Sequence, residues 1–163
     1  MLTLYHGSIE IVAHPEIRLS NRLLDFGHGF YLTSSEHQAE DWVRRRLREN
    51  GMEQGYVNIY SLDLSAAASE LQIQKFYEAN DAWLDFVMHN RTRFDFTHTF
   101  DIVAGPVAND RVYTAFALYE GGIIDRATLI ADLKTYKLVD QYLLHTERAL
   151  KFLNFQTAKI IKL

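Results

Sequence analysis

Residues 25–33 read DFGHGFYLT, in which two glycines flank a histidine and an apolar, aromatic run follows. Glycine on both sides of one residue lets the backbone turn tightly and lets another group approach it closely. The run from Phe30 to Thr33 predicts a short strand. An aromatic side chain there offers its face to a flat ligand ring, although aromatics in such a strand are more often part of a packed core. The stretch by itself leaves both interpretations open.

Two further stretches place polar side chains at the ends of predicted strands. Residues 2–6 read LTLYH and predict a strand that ends in a turn at Gly7 and Ser8. A histidine there, beside glycine, suits the binding of a ribose or an amide, and it is also compatible with a histidine packed for structure. Residues 140–144 read DQYLL and place a polar residue just inside a strand, either in a cleft or at a sheet edge.

The pattern of the whole chain predicts an α+β fold in one domain, residues 1–163, because its strands and helices do not alternate regularly and no linker interrupts them. A helix is expected from Ser34 or Ser35 to Gly51, since Ser35 and Gln38 have capping-box spacing and glycine commonly ends helices. Further helices are predicted at 80–90, 109–120, 125–135 and 146–153, and further strands at 56–64, 101–107, 137–145 and 157–163.

Composition restricts the class of function. The net charge of −4 argues against a protein that binds nucleic acid through bulk positive charge. Cysteine is absent, which excludes a thiolate zinc site and a cysteine nucleophile. The opening MLTLYHGS has no signal-peptide pattern, and no apolar run has the length of a membrane span. We therefore expect a soluble, cytoplasmic protein that has no membrane partner.

Taken in order, the three stretches resemble the motifs of the ADP-ribosyltransferase superfamily, most closely its diphtheria-toxin and poly(ADP-ribose) polymerase branch. That branch has a His-Gly pair after an opening strand, then Gly-x-Gly-hydrophobic-Tyr-hydrophobic before a helix, then a polar-Glu-Tyr strand. The chain also resembles a bacterial family of uncharacterised domains, DUF3990. Five ordered blocks carry this resemblance: Leu4 to Ser8, Asp25 to Thr33, Gln38 to Trp42, Gly105 to Tyr113 and Gln141 to Leu150.

The resemblance implies an ADP-ribosyltransferase-like split antiparallel β-sandwich with flanking helices, in which NAD lies between two sheets. His6 would bond the adenosine ribose. The backbone of Gly7, followed by Ser8, would pair with the nicotinamide amide, because one residue offers a donor and an acceptor. Tyr31 would lie against the nicotinamide ring. Trp42 is a candidate for a second stacking aromatic, one helical position from where the polymerases place it.

Two arginines precede the second motif. The resemblance makes Arg18 and Arg22 candidates to pair with the NAD pyrophosphate, which suits a guanidinium fork, and an ordinary surface position is an equal alternative.

Where the superfamily has its catalytic glutamate, this chain has Gln141. A glutamine accepts a hydrogen bond from a ribose hydroxyl but supplies no negative charge, and loss of such a group costs on the order of 10²–10³ in rate. The acidic residues nearby in sequence are Asp140, which would point to the opposite face of the strand, and Glu147, which is expected on the next helix. Neither is a clean replacement.

These residues, with His6, Tyr31 and Gln141 as the catalytic set, predict a mono-ADP-ribosyltransferase-like protein. It would transfer ADP-ribose from NAD to an unknown acceptor and release nicotinamide. A toxin or effector is the expected biological role, with a small antitoxin protein as an expected partner. The alternative is an NAD-binding module that is weak or inactive because glutamine replaces glutamate.

The seven histidines raise a third alternative, a metal-dependent hydrolase. Their spacing fits poorly, because His28 and His37 are nine residues apart, as are His89 and His98, whereas zinc ligands on one element lie closer together. No metal site is therefore predicted.

Overall fold

A computed structural model describes residues 1–19, 23–107, 110–135 and 138–163. These residues form two sheets and six helices, so the predicted α+β class is confirmed. The strands are β1 (Leu2–Ser8), β2 (Phe30–Leu32), β3 (Gln54–Leu62), β4 (Ile73–Lys75), β5 (Ile102–Pro106), β6 (Asp140–Leu144) and β7 (Leu153–Lys162). The helices are α1 (Glu36–Asn50), α2 (Leu64–Glu70), α3 (Asp81–Thr92), α4 (Asp110–Glu120), α5 (Arg126–Lys134) and α6 (Glu147–Leu150).

The two sheets differ in strand direction. The first has the order β1-β3-β7 and is antiparallel throughout. The second has the order β2-β6-β5-β4, and its last pair, β4 with β5, is parallel. The expectation of two fully antiparallel sheets is therefore wrong at β4.

The sheets pack face to face, because the strands alternate and each buries one set of side chains between them. Leu4 and Leu62 of the first sheet share a buried cluster with Phe30 and Leu144 of the second. The outer face of the first sheet is covered by α1, and the outer face of the second by α3, α4 and α5. The order of layers is thus helix, sheet, sheet, helices.

Local signals placed α1 correctly. Ser35 caps it by accepting a hydrogen bond from Gln38 N at 3.2 Å, and Gly51 ends it in the left-handed region with φ 63°. The elements α2 and β4 had no predicted counterpart. The strand β7 begins at Leu153, four residues before the predicted start, and α6 is shorter than expected. In the described part of the chain, no helix has both the length and the apolar character that crossing a bilayer requires.

Candidate functional site

The two sheets meet at an isolated bridge between β1 and β2. Tyr5 and Thr33 exchange backbone hydrogen bonds of 2.8 and 3.0 Å. Continued antiparallel register would set Gly7 opposite Tyr31, but the bridge is isolated and the strands separate there. The backbone groups of residues two apart in a strand point to the same side. Those of Tyr5 face β2, so the N–H and C=O of Gly7 face the gap between β1 and β2.

His6 spans the gap between the separating strands. Its Nδ1 lies 2.8 Å from the carbonyl oxygen of Tyr31, and its ring packs on Phe30 with centroids 4.4 Å apart. Burial lowers the pKa of His6 below 6.5, so the ring is neutral at pH 7. Since a carbonyl only accepts, Nδ1 carries the hydrogen and Nε2 is left as an acceptor.

Gly7 lies against helix α1. A Cβ at this position would come within 2.5 Å of Ala39 O and 3.1 Å of the Trp42 ring, so only glycine fits. Trp42 is 48% exposed, and its ring lies beside Gly7 on the side that faces α1. The strand β1 continues through Gly7 to Ser8, because both pair with β3, so the turn predicted at these two residues is wrong. The hydroxyl of Ser8 accepts a hydrogen bond from Glu10 N at 3.2 Å, just after the strand.

Tyr31 anchors the loop of residues 25–29, called the glycine loop because it contains Gly27 and Gly29. Its hydroxyl donates to Gly27 O at 2.6 Å and accepts from Phe26 N at 3.2 Å. Burial raises its pKa far above the ordinary value, so the phenol stays protonated. Gly27 and Gly29 have φ of 92° and 144°, which explains why the turn needs both glycines.

Gln141 lies on the same sheet face as Tyr31. Tyr31 pairs with Leu143 on β6, and Gln141 stands two residues before Leu143, so their side chains point to one side. Gln141 is buried and donates from Nε2 to Oδ2 of Asp25 at 3.3 Å. The other oxygen of Asp25 lies 3.1 Å from Nη1 of Arg91. The three motif residues thus lie on adjoining strands at one seam, where β1 approaches β2 and β2 pairs with β6. Tyr31 and Gln141 point to the face that α3, α4 and α5 cover, with Asp25 and Arg91 behind them. The ring of His6 lies on the other face, in the cluster between the two sheets.

Residues 2–155 match the model of a family described as "Protein of unknown function (DUF3990)". The chain belongs to the DUF3990 family. The match includes all five blocks on which the sequence resemblance depends, so that prediction is confirmed at the level of this family. No curated protein matches the sequence.

In this DUF3990 chain, the two acidic neighbours of Gln141 in sequence bond elsewhere, and Glu147 lies on α6 as predicted. Asp140 accepts hydrogen bonds from Ser34 N at 2.9 Å and from Ser34 Oγ at 2.7 Å, which anchors the approach to α1. Glu147 accepts from Ile17 N at 3.3 Å on the protein surface. The buried carboxylate near Gln141 is instead Asp25, to which the sequence analysis assigned no role.

Of the two predicted pyrophosphate arginines, Arg18 is not brought to this seam by the described contacts. The side chain of Arg18 is 85% exposed and lies 4.0 Å from Glu16. Arg22 lies outside the described residues.

Three histidines, His28, His98 and His145, form a cluster just after the C-terminal end of β6. The ring of His145 lies 4.4 Å from that of His28 and 4.3 Å from that of His98, and its Nδ1 is 2.7 Å from His28 O. His98 Nε2 bonds Phe26 O at 2.8 Å. Over the residues that the structure describes, no group of three or more histidine or acidic side chains is arranged to hold a metal ion.

Proposed function

We propose that this DUF3990 protein has an ADP-ribosyltransferase-like fold and is an NAD-dependent mono-ADP-ribosyltransferase. One observation carries the proposal: His6, Tyr31 and Gln141 lie on three adjoining strands, because β2 bridges β1 through Thr33 and pairs with β6. The order of these residues along the chain matches the superfamily motifs, and their position on adjoining strands supports a common site at the seam.

The groups at the seam suit the parts of NAD. The backbone of Gly7 offers one donor and one acceptor to the nicotinamide amide, and the faces of Tyr31 and Trp42 suit a flat ring. Nε2 of His6 is an acceptor for a ribose hydroxyl. Oε1 of Gln141 is a second acceptor, because its Nε2 is already committed to Asp25.

The reaction breaks the bond between C1′ of the ribose and the nicotinamide nitrogen. The bonding pair goes to that nitrogen, and nicotinamide leaves neutral. A nucleophilic atom of the acceptor bonds to C1′, and its proton is lost to solvent. Positive charge develops on the sugar as the bond breaks, so fixed acceptors near the ribose favour the transition state.

A second candidate function is an NAD-binding module without turnover. The uncharged Gln141 favours it, because an amide stabilises positive charge less than a carboxylate does. The acceptor, a toxin or effector role and a small antitoxin partner belong to the proposal as expectations from the superfamily.

Calorimetric titration with NAD, followed by assay of free nicotinamide, tests both candidates. We expect saturable binding that nicotinamide competes for, and release of nicotinamide in the presence of a cell lysate that contains the acceptor. Tyr31→Ala should abolish release. Tyr77→Ala is the matched control, because Tyr77 is 84% exposed and outside the site.

Each result separates the candidates. Binding without release, with or without lysate, identifies the binding module. If the wild-type protein gives neither heat nor competition, both NAD functions are excluded.

A further inference from the structure

Asp25 is a buried carboxylate at the start of the glycine loop. Its side chain is 5% exposed, and its two oxygens bond Arg91 at 3.1 Å and Gln141 at 3.3 Å. Burial of a carboxylate is costly unless the group is paired and hydrogen-bonded. These contacts compensate for that cost, and they join Asp25 directly to the residue at the glutamate position.

The contact with Asp25 fixes the orientation of the Gln141 amide. An ionised carboxylate only accepts hydrogen bonds, so the NH₂ end of Gln141 must face Asp25. Its carbonyl Oε1 then points away from Asp25. Donation to a carboxylate also polarises the amide and makes Oε1 a stronger acceptor.

Arg91 restrains the other side of Asp25. Its guanidinium carbon lies 4.7 Å from the ring centroid of Tyr113 and 5.5 Å from that of Phe116. Aromatic faces attract the cation and limit its movement. Asp25 is therefore held between a fixed cation and the Gln141 amide.

We propose that Asp25 is the positioning residue for Gln141 and that it supplies, one hydrogen bond behind the amide, the negative charge that glutamine lacks. This inference rests on the proposed function. As the C1′–nicotinamide bond breaks, Oε1 accepts the ribose hydroxyl, and the charge of Asp25 acts on the developing positive charge through the polarised amide. The Asp25–Gln141 pair thus does the work of one glutamate.

Asp25→Asn is the first test. The introduced asparagine would keep its Oδ1 toward the cationic Arg91 and turn its NH₂ toward Gln141, so the Gln141 amide would flip and present NH₂ to the ribose. We expect kcat for nicotinamide release to fall about 100-fold, while KM for NAD changes less than about threefold. Asp101→Asn is the matched control, because Asp101 is 4% exposed and bonds Thr146 and Gln72 instead.

Gln141→Glu and the double variant Asp25→Asn/Gln141→Glu are the second test. In the single variant two buried carboxylates would face each other, so its unfolding midpoint should fall at pH 7 and recover as acid lets the pair share a proton. In the double variant the introduced asparagine donates to the introduced glutamate and accepts from Arg91, so every group is paired. We expect it to regain stability and at least wild-type release.

The outcomes separate the two proposals. If the wild type turns over NAD and Asp25→Asn does so with the same kcat, the role of Asp25 is overturned and the proposed function remains. The role of Asp25 is also overturned if Gln141→Glu is as stable as the wild type and the double variant is no more active than Asp25→Asn. A wild-type protein that does not cleave NAD, whether or not it binds it, overturns the transferase function and this inference together.

Discussion

The Nδ1 atom of His6 lies 2.8 Å from the carbonyl oxygen of Tyr31, and this bond ties the two sheets together where β1 and β2 separate. The ring that makes this bond also packs on Phe30. One side chain therefore has a structural nitrogen, Nδ1, and a second nitrogen, Nε2, that takes no part in this bond and that the proposed function assigns to the ribose. The two roles can be separated by substitution.

His6→Asn should separate these roles. The asparagine amide can reproduce the Nδ1 donor to Tyr31 but has no atom in place of Nε2. We expect NAD affinity to fall about tenfold, or about 1.4 kcal/mol, with a loss of unfolding free energy of about 1 kcal/mol. His6→Ala should lose about 2–3 kcal/mol, because it also leaves Tyr31 O unpaired and a cavity against Phe30. Calorimetry and urea unfolding measure both quantities, and unchanged NAD affinity in His6→Asn would contradict the ligand role.

Tyr31→Phe tests whether the hydroxyl serves the loop rather than the ligand. The change leaves Gly27 O and Phe26 N without their partner, so we expect a loss of about 1–2 kcal/mol in unfolding free energy. The ring remains, so the Kd for NAD should change less than about threefold, unlike that of Tyr31→Ala. Tyr77→Phe on the surface is the control and should lose less than about 0.5 kcal/mol. Loss of NAD binding in a stably folded Tyr31→Phe would show that the hydroxyl contacts the ligand.

Sequence reasoning located the elements whose signals are local. Ser35, Gln38 and Gly51 bound α1 within a residue, because a helix cap depends on residues three or four positions apart. It missed β4, since three residues carry no clear periodicity and their partner, β5, lies far along the chain. It also extended β3 to residue 64, whereas Asp63 caps α2 by accepting from Ala66 N at 3.0 Å.

The same distinction holds for the candidate site. His6, Tyr31 and Gln141 each sit in a recognisable local pattern, and their strands adjoin in the structure. The Asp25–Arg91 ion pair joins residues 66 positions apart, and no local pattern marks Arg91. The acids close to Gln141 in sequence are Asp140 and Glu147, whereas the fold places Asp25, from the loop before β2, against its amide. The acid at the start of the glycine stretch was the available signal.

Gly7→Ala tests the close approach of α1 to β1. The added methyl group would meet Ala39 O at 2.5 Å and the side chain of Val43 at 3.0 Å, so the helix must move. We expect a loss of about 2–3 kcal/mol, as for overpacking of a core. Gly51→Ala is the control, because its Cβ meets nothing within 4 Å and its cost, about 1 kcal/mol, comes from φ of 63° alone. Equal losses of unfolding free energy in the two variants, measured by urea unfolding, would show that α1 moves away from Gly7 at little cost.

Acid should destabilise the histidine cluster at the far end of β6. Burial, followed by the charges of His145 and His28, lowers the pKa of His98 below 6.5, and burial and His145 lower that of His28. Near and below pH 6.5 the folded state therefore binds fewer protons at His98 and His28 than the unfolded state does. Their neutral forms contribute to stability fully above that pH, and this contribution is lost as the pH falls through it. The nearby carboxylate of Asp101, whose pKa is lowered despite its burial by hydrogen bonds from Thr146 and Gln72, stays charged in this window.

His98→Gln should reduce the loss of unfolding free energy in acid. The glutamine amide can keep the donor to Phe26 O that Nε2 provides, but it does not ionise. We expect the unfolding free energy of the variant to fall less than that of the wild type between pH 7 and pH 5, whereas His14→Gln, at an exposed position, should follow the wild type. Parallel curves for His98→Gln and the wild type would show that the acid loss arises elsewhere, with His6 as the next residue to test because burial also lowers its pKa.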